Sequence, residues 1–146
     1  MNIVVTRTIH TASTVRGGRV MYRQARVTTT SGVDGLSVHE ATTTGSIAAG
    51  EIPEGILITA APDESLTAAT WTGTIDVQKF GLARCVAGEA MDPATVRFVS
   101  WDNQGRIRAA VAGDYVLGEL VGAKNITAAG QLCDVFVNTF AFTADT

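Results

Sequence analysis

Charged side chains are scarce in this chain, where Asp, Glu, Lys and Arg make up 17% of 146 residues. Ordinary soluble domains carry about a quarter. A surface this poor in charge fits a protein with area committed to protein contacts, and it also fits a plain β domain rich in Thr and Ala. The formal net charge is −3 and the eleven Lys and Arg residues are scattered. Nothing therefore predicts nucleic-acid binding, because an acidic balance repels phosphate.

Long apolar runs and a targeting segment are also missing. No run approaches the roughly 20 apolar residues that a membrane helix needs. The opening MNIVVTRTIH has no basic start followed by a long apolar stretch. We therefore expect no membrane partner and synthesis in a cytoplasm. The two cysteines, Cys85 and Cys133, each lie in an apolar run, which favours buried free thiols, with a disulfide between two strands as the alternative.

Reactive side chains in recognisable patterns are absent as well. His10 and His39 lack partners at metal-ligand spacing, apart from the adjacent Glu40. There is no Gly-x-Ser-x-Gly, and VRGGRV is not followed by the Lys-Ser/Thr of a phosphate loop. We expect no catalytic residue, no cofactor and no metal. The competing hypothesis is a small β-barrel enzyme that uses Asp or His side chains, with Asp102 and Asp114 as the residues to test.

What the chain does contain is strand and turn sequence throughout. Apolar residues make up 46% of it, enough to bury a core in one domain spanning 1–146. Short β-branched runs such as GILITA, ATVRFVSWD and QLCDVFVNTFAFT alternate with turns such as VAGE, DNQG and VAGD. WDNQGRI predicts a hairpin, since Asp102 and Asn103 tolerate turn geometry and Gly105 can take positive φ. The expected fold is all-β, a compact antiparallel β-barrel or sandwich of short strands.

Two longer-range features accompany this pattern. AGEIPEG at 49–55 matches AGDYVLG at 112–118, and GRVMYR and ATVRFV hold similar places upstream. These matches predict an internally duplicated β unit in which each half covers the other's open face, against the alternative that common Gly, Ala and Thr align by chance. The segment 28–50 is polar and rich in small residues, and we expect a long hairpin or a surface loop there.

Candidate contact residues fall into two groups. The segment 1–14 has the composition of an extended N-terminal arm or of an ordinary first strand of the body. Arginines make the N-terminal part locally basic, which fits either contact with an acidic partner or a solvated face. Trp71 and Trp101 fit either the core or an interface centre. The residues that we assign to contact with a partner protein or another subunit are Ile3, Val4, Val5, Arg7, Ile9, Arg16, Arg19, Trp71 and Trp101.

The stretch from Gly81 to Val137 resembles the head decoration, or capsid cement, proteins of tailed bacteriophages. The family's order of strands and turns falls on Gly81, Gly88, Glu89, residues 96–99, residues 102–105, Ala112, Gly113, Asp114, Gly118, Ala129, Gly130 and residues 132–137. The resemblance covers roughly the last sixty-five residues, and it departs at MDPATV, which replaces the usual Gly-Asp turn. GRVMY and EGILITA match weakly.

The resemblance implies a structural virion protein without catalytic function. Such a protein lies on the outer capsid surface, binds the major capsid protein, stabilises the shell and is often a homotrimer. It needs no cofactor and contacts no nucleic acid directly. The alternative within the same class is another virion β module, such as a head-fibre, tail-tube or receptor-binding component.

Overall fold

The structure is a computed structural model that describes residues 1–14, 16–24, 38–46, 51–59 and 70–141. In these ranges the strands are β1 (Ile3–Thr14), β2 (Val20–Gln24), β3 (Val38–Glu40), β4 (Glu51–Leu57), β5 (Thr70–Val86), β6 (Phe98–Trp101), β7 (Ile107–Ala109), β8 (Gly118–Val121) and β9 (Leu132–Asn138). One 3-10 turn, Thr139–Ala141, follows β9. The expected all-β class is confirmed. Among the described residues, no helix has the length and apolar character needed to cross a bilayer.

The strands form one antiparallel sheet that curls into a half-barrel. Its order is β3-β2-β4-β5-β9-β8-β6-β7, and β1 pairs with β5 outside that path. Val77 and Gln78 each pair with both β1 and β4, so these two strands flank β5 on opposite edges. β5 is 17 residues long, more than the short strands that the sequence predicts. Its length follows from its partners, because β1 and β4 pair along its first part and β9 along residues 80–86.

The sheet is built from two equivalent units. The first repeat consists of β1, β2, β3, β4 and residues 70–80 of β5. The second repeat consists of residues 80–86 of β5, followed by β6, β7, β8 and β9. In each repeat the first strand pairs with the last, the second pairs with the third and the fourth, and the fourth pairs with the last. β5 therefore closes one repeat and opens the other.

The registers of the two repeats also agree. In the first repeat, a row of directly paired residues crosses four strands as Val4, Gln78, Ile56 and Val20. The same four strands of the second repeat carry the row Leu82, Phe136, Glu119 and Phe98. We call these the first and the second outer row. Matching topology and register give the predicted duplication a structural basis.

At one position of the repeated sequence pattern, glycine is required for a steric reason. A Cβ built on Gly55 would lie 2.1 Å from the carbonyl oxygen of Gln78, and one built on Gly118 would lie 2.0 Å from that of Phe136. These glycines end the two matching segments AGEIPEG and AGDYVLG, and both contacted carbonyls belong to the outer rows. In each repeat the neighbouring backbone fills the space of a side chain, so only glycine fits.

The two repeats share the larger of two apolar cores. The smaller core lies among the strands of the first repeat and contains Met21, Val38, Leu57, Ile75 and Val77, with Val5 packed against it. The larger core contains side chains of the second repeat, including Trp101, together with Val20, Tyr22 and Ile56 of the first. The backbone N–H of Val20 also donates to the carbonyl of Gly105 at 2.9 Å. The first repeat is thus packed against the second.

This packing covers most of the first outer row and leaves the second open. In the first row Val20 and Ile56 are fully buried and Gln78 is 5% exposed, whereas Val4 at the end of the row is 45% exposed. In the second row Leu82, Phe136 and Phe98 are exposed. The expectation that each half covers the other is therefore correct in one direction only. The described residues form two repeats, and among them no further repeat covers the row at the end of the second.

The predicted hairpin at residues 102–105 is confirmed. β6 and β7 pair antiparallel, with Trp101 opposite Ile107. Gly105 has φ of 72°, and its N–H donates to the carbonyl of Asp102 at 3.0 Å. The Asp102 carboxylate accepts from the N–H groups of Gln104 and Arg106, both at 2.9 Å. The aspartate stabilises the turn that the sequence indicates.

The described part of the 28–50 segment is structured. β3 lies within it and pairs with β2, placing His39 opposite Tyr22, while 28–37 and 47–50 fall outside the described residues. The Tyr22 hydroxyl bonds to the carbonyl of Thr43 at 2.9 Å and to that of Ser46. A buried phenol therefore holds residues 43–46 against the larger core.

Candidate interaction surfaces

The N-terminal segment is the first strand of the body in this structure. Val5 packs against the smaller core, and Ile3 and Arg7 are half-buried on the same side of β1, whereas Val4 between them is 45% exposed. Ile9 pairs through its backbone with Gly73, and its side chain is outside the described set. Among the candidate contact residues of β1 whose side chains the structure describes, Val4 therefore offers the most open apolar surface.

Arg7 belongs to a buried ionic cluster that ties three strands together. The Oε1 atom of Glu54, on β4, accepts from Arg7 Nη2 of β1 at 3.0 Å and from Lys79 Nζ of β5 at 2.9 Å. The side chain of Glu54 is fully buried, whereas those of Arg7 and Lys79 are about one-fifth exposed. Burial by itself raises the pKa of Glu54, but the hydrogen bonds and charges of Lys79 and Arg7 outweigh burial and hold this pKa below its ordinary value.

The other two arginine candidates also make contacts within the chain. Arg16 is ion-paired with Glu40, which accepts from both its guanidinium and its backbone N–H. Arg19 is fully buried, and its Nη1 donates to the carbonyl of Gln104 at 3.0 Å. Arg7, Arg16 and Arg19 therefore form neither a continuous basic patch nor a freely solvated face.

The structure describes the side chain of one of the two tryptophans, Trp101, and only the backbone of the other. Trp101 is fully buried in the larger core, as the core alternative expects. Its Nε1 donates to the hydroxyl of Tyr22 at 2.7 Å and to the carbonyl of Thr43 at 2.9 Å, and its ring meets that of Tyr22 edge to face at 6.0 Å. Trp71 pairs through its backbone with Ser13, while its side chain is outside the described part.

A set of exposed apolar side chains, which sequence reasoning missed, lies on the side of the second repeat that faces away from the core. It comprises Leu82, Phe98, Leu132 and Phe136, which are 55%, 46%, 44% and 40% exposed. Phe80 adds to it, since its ring meets that of Phe136 edge to face at 5.1 Å. We call this surface the outer face. Exposed apolar side chains gathered on one side of a folded domain commonly mark an interaction site.

Ion pairs accompany the outer face. Arg84 Nε lies 2.6 Å from Asp134 Oδ1, and Arg97 Nε lies 3.6 Å from Glu119 Oε2. All four side chains are at least 39% exposed. The guanidinium of Arg97 also lies 5.0 Å from the ring centre of Phe98. Apolar and charged groups together give the outer face an amphipathic character with equal numbers of both signs.

One signal in the sequence could have indicated the outer face. In a strand with one solvated side, apolar and polar residues alternate. β9 instead reads LCDVFVN, with apolar residues at both parities. The larger core takes the side chains of Cys133, Val135 and Val137. Leu132 and Phe136 are therefore apolar residues that this core does not need. Apolar residues on both sides of a strand predict a second packing surface.

The two aspartates of the enzyme hypothesis are both engaged by turns. Asp102 holds the β6–β7 hairpin and accepts from Arg106 Nε at 2.8 Å. Asp114 accepts from Arg108 Nη2 at 2.7 Å and from the N–H of Val111 at 2.8 Å. Among the described residues, no three His, Cys, Asp or Glu side chains come together as a metal site. An open groove of about 570 Å³ lies beside Arg84, Lys124 and Asp134.

The cysteines occupy directly opposed positions on two strands. Cys85 of β5 pairs with Cys133 of β9, and both are buried, unbonded thiols, as the sequence favours. Burial raises the pKa of Cys85 strongly and that of Cys133 to about 12. Both side chains are therefore thiols at neutral pH, and they behave as small apolar groups of the larger core.

Comparisons with known proteins identify the fold. No family model matches the sequence, and no curated protein matches it. Among solved structures, the chain is similar to the N base of head fibre gp8.5 in bacteriophage phi29, with a TM-score of 0.59 at 16% identity. The likeness covers 94% of this chain and 96% of that one. At this identity the comparison establishes a shared all-β architecture along nearly the whole of both chains.

Proposed function

We propose that this chain is a structural protein of a tailed-phage head, attached to the outer surface of the capsid as the base of a fibre or of a similar projection. The observation that carries the proposal is the fold likeness to a head-fibre base along nearly the full length of both chains. Fold alone does not define function. The likeness gains weight because the sequence independently resembles another class of phage head protein.

The distribution of polar groups supports a binding role without catalysis. Asp102, Asp114 and Glu54 all lie in structural contacts, and the exposed surface offers the apolar outer face instead. We therefore propose that the chain is not an enzyme, that it is made in the host cytoplasm and that its partner on the virion is the major capsid protein. We also propose that it is multimeric, with a homotrimer as the expected form.

Capsid cement is the second candidate within the same class. The order of turns that resembles the decoration family coincides with real turns, since Gly105, Gly113 and Gly130 all have positive φ. A cement protein binds the assembled lattice and not the free subunits, so it stabilises the shell by mass action over many copies. A fibre base needs only enough affinity to remain attached and has no requirement to stabilise the lattice.

Two measurements on the phage that encodes the chain test these proposals. Electron cryomicroscopy of particles with and without the protein locates it, and density on the head shell supports the proposal whereas density on the tail overturns it. Heating the same two particle types then separates the candidates. A cement protein raises the temperature of shell rupture, while a fibre base leaves that temperature unchanged. Purified protein that fails to co-sediment with capsids lacking it would contradict both.

A further inference from the structure

The two outer rows are structurally equivalent, but they differ in their surroundings. Val20 and Ile56 of the first row are fully buried against the second repeat. In the second row Phe98 stands where Val20 does and Glu119 where Ile56 does, and Phe98 is 46% exposed. Phe136 and Leu82, at the places of Gln78 and Val4, are 40% and 55% exposed. The end of the row at Val20 is thus a packing surface in one repeat, whereas the same end at Phe98 is an open apolar surface in the other.

The charges on the outer face indicate the chemistry of its occupant. Arg84 and Asp134 contribute one charge of each sign, and so do Arg97 and Glu119. A surface that recognises an acidic or basic partner carries an excess of one sign. This surface carries no such excess among those four groups. Two copies of it can exchange ion-pair partners across a contact, so that each arginine meets a carboxylate of the other copy.

We propose that the outer face is the surface through which this chain associates with a second copy of itself. The occupant is a copy of the same chain because the fold already packs Val20 and Ile56 of the equivalent row against a copy of its own β unit, and because the charges on the face complement one another. The large apolar side chains of Leu82, Phe98 and Phe136 supply the contact area, and the ion pairs fix its orientation. The assignment rests on the proposal above that the chain is multimeric, and it leaves the capsid-binding surface elsewhere on the molecule.

The test is sedimentation velocity of the purified full chain over a dilution series. The test variant is Leu82→Glu with Phe98→Glu, which places carboxylates at two points of the outer face. The matched control is Val111→Glu, since Val111 is an exposed apolar residue, 57% accessible, in the loop between β7 and β8. We expect an oligomer for the unaltered chain and for the control. We expect the double variant to dissociate at concentrations on the order of a hundredfold higher or more.

A second measurement on the unaltered chain makes the test independent of whether the variant folds. Hydroxyl-radical footprinting above and below the dissociation concentration reports the accessibility of Phe98 and Phe136 directly. We expect both rings to be protected in the oligomer and oxidised in the monomer, with Phe140, 64% exposed, reacting equally in both states. Near-ultraviolet circular dichroism, to which the buried Trp101 contributes, checks the fold of each variant.

The outcomes separate this inference from the proposed function. An oligomer in which Phe98 and Phe136 stay reactive, or which the double variant leaves intact, overturns the assignment of the outer face. A chain that is monomeric at micromolar concentration overturns self-association altogether. Co-sedimentation with capsids is scored separately, so loss of capsid binding by a chain that still self-associates counts against the proposed function alone.

Discussion

Replacing Glu54 with Gln removes the charge at the centre of the buried cluster while keeping the shape of the side chain. Glu54 Oε1 accepts from Arg7 at 3.0 Å and from Lys79 at 2.9 Å. The substitution leaves two cations facing a neutral amide in a largely buried site. We expect E54Q to lower the free energy of unfolding, because the positive charges of Arg7 and Lys79 then meet no carboxylate at the point where β1, β4 and β5 are joined.

The magnitude follows from the burial of the three groups. Removing one partner of a fully buried ion pair costs about 3–5 kcal/mol. The side chains of Arg7 and Lys79 are 18% and 19% exposed, so water recovers part of their solvation. The Gln carbonyl also still accepts one hydrogen bond. We therefore expect a loss of about 2–3 kcal/mol at neutral pH.

The pH dependence provides a second signature of the same contact. The folded pKa of Glu54 lies below the ordinary value of 4.5, because the hydrogen bonds and charges of Lys79 and Arg7 outweigh burial. The stabilisation from this carboxylate is therefore complete above pH 4.5 and is lost as the pH falls through the folded pKa. Protonated Glu54 resembles Gln, so the difference in stability between the original chain and E54Q narrows in acid.

Urea denaturation followed by far-ultraviolet circular dichroism, at neutral pH and at a series of acidic values, measures both effects. The matched control is Asp134→Asn, which breaks the Arg84–Asp134 ion pair. Its side chains are 58% and 39% exposed, and we expect a loss below about 1 kcal/mol. An E54Q variant no less stable than Asp134→Asn, or a stability difference that does not change with pH, would refute the reasoning.

Three further predictions concern the core, a close backbone contact and the thiols. Trp101→Phe removes the indole donor and part of a fully buried ring, and urea denaturation should show a loss of about 2–4 kcal/mol; a loss below about 1 kcal/mol would contradict the buried hydrogen bonds. Gly55→Ala, whose Cβ would lie 2.1 Å from a carbonyl oxygen, should unfold the chain or cost more than about 3 kcal/mol. Gly122→Ala, with φ of 97° and open space around it, should cost about 1 kcal/mol, so equal losses would argue against the steric account. Cys85 and Cys133 should react with iodoacetamide at pH 8 only in denaturant, because burial raises the pKa of Cys133 to about 12; rapid labelling of the native protein would contradict their burial.

Several features follow from local sequence, because their causes lie within a few residues. β-branched runs separated by glycine turns predict strands wherever they occur. Residues 102–105 predict a hairpin, since an aspartate side chain can accept from the N–H groups that follow it and Gly105 can take positive φ. Apolar neighbours predict the burial of Cys85 and Cys133. The repeated segments ending at Gly55 and Gly118 indicate the duplication, although not the carbonyl contact that requires glycine at both places.

Other features depend on groups that are distant along the chain and meet only in the folded sheet. Arg7, Glu54 and Lys79 come from three strands, and no local pattern marks Glu54 as the partner of both cations. Arg19 lies in a glycine-rich turn whose sequence suggests exposure, yet it is buried because the 102–105 hairpin packs over it.

The sequence by itself determined the class of the fold, its turns and its division into two similar units, because propensity and turn chemistry act over short distances. Only the tertiary structure decided which unit packs over the other. The two outer rows have the same place in their repeats, yet Val20 is buried and its counterpart Phe98 is exposed. The two described repeats bury most of one row and leave the other at the surface. This difference, which no single strand encodes, creates the outer face.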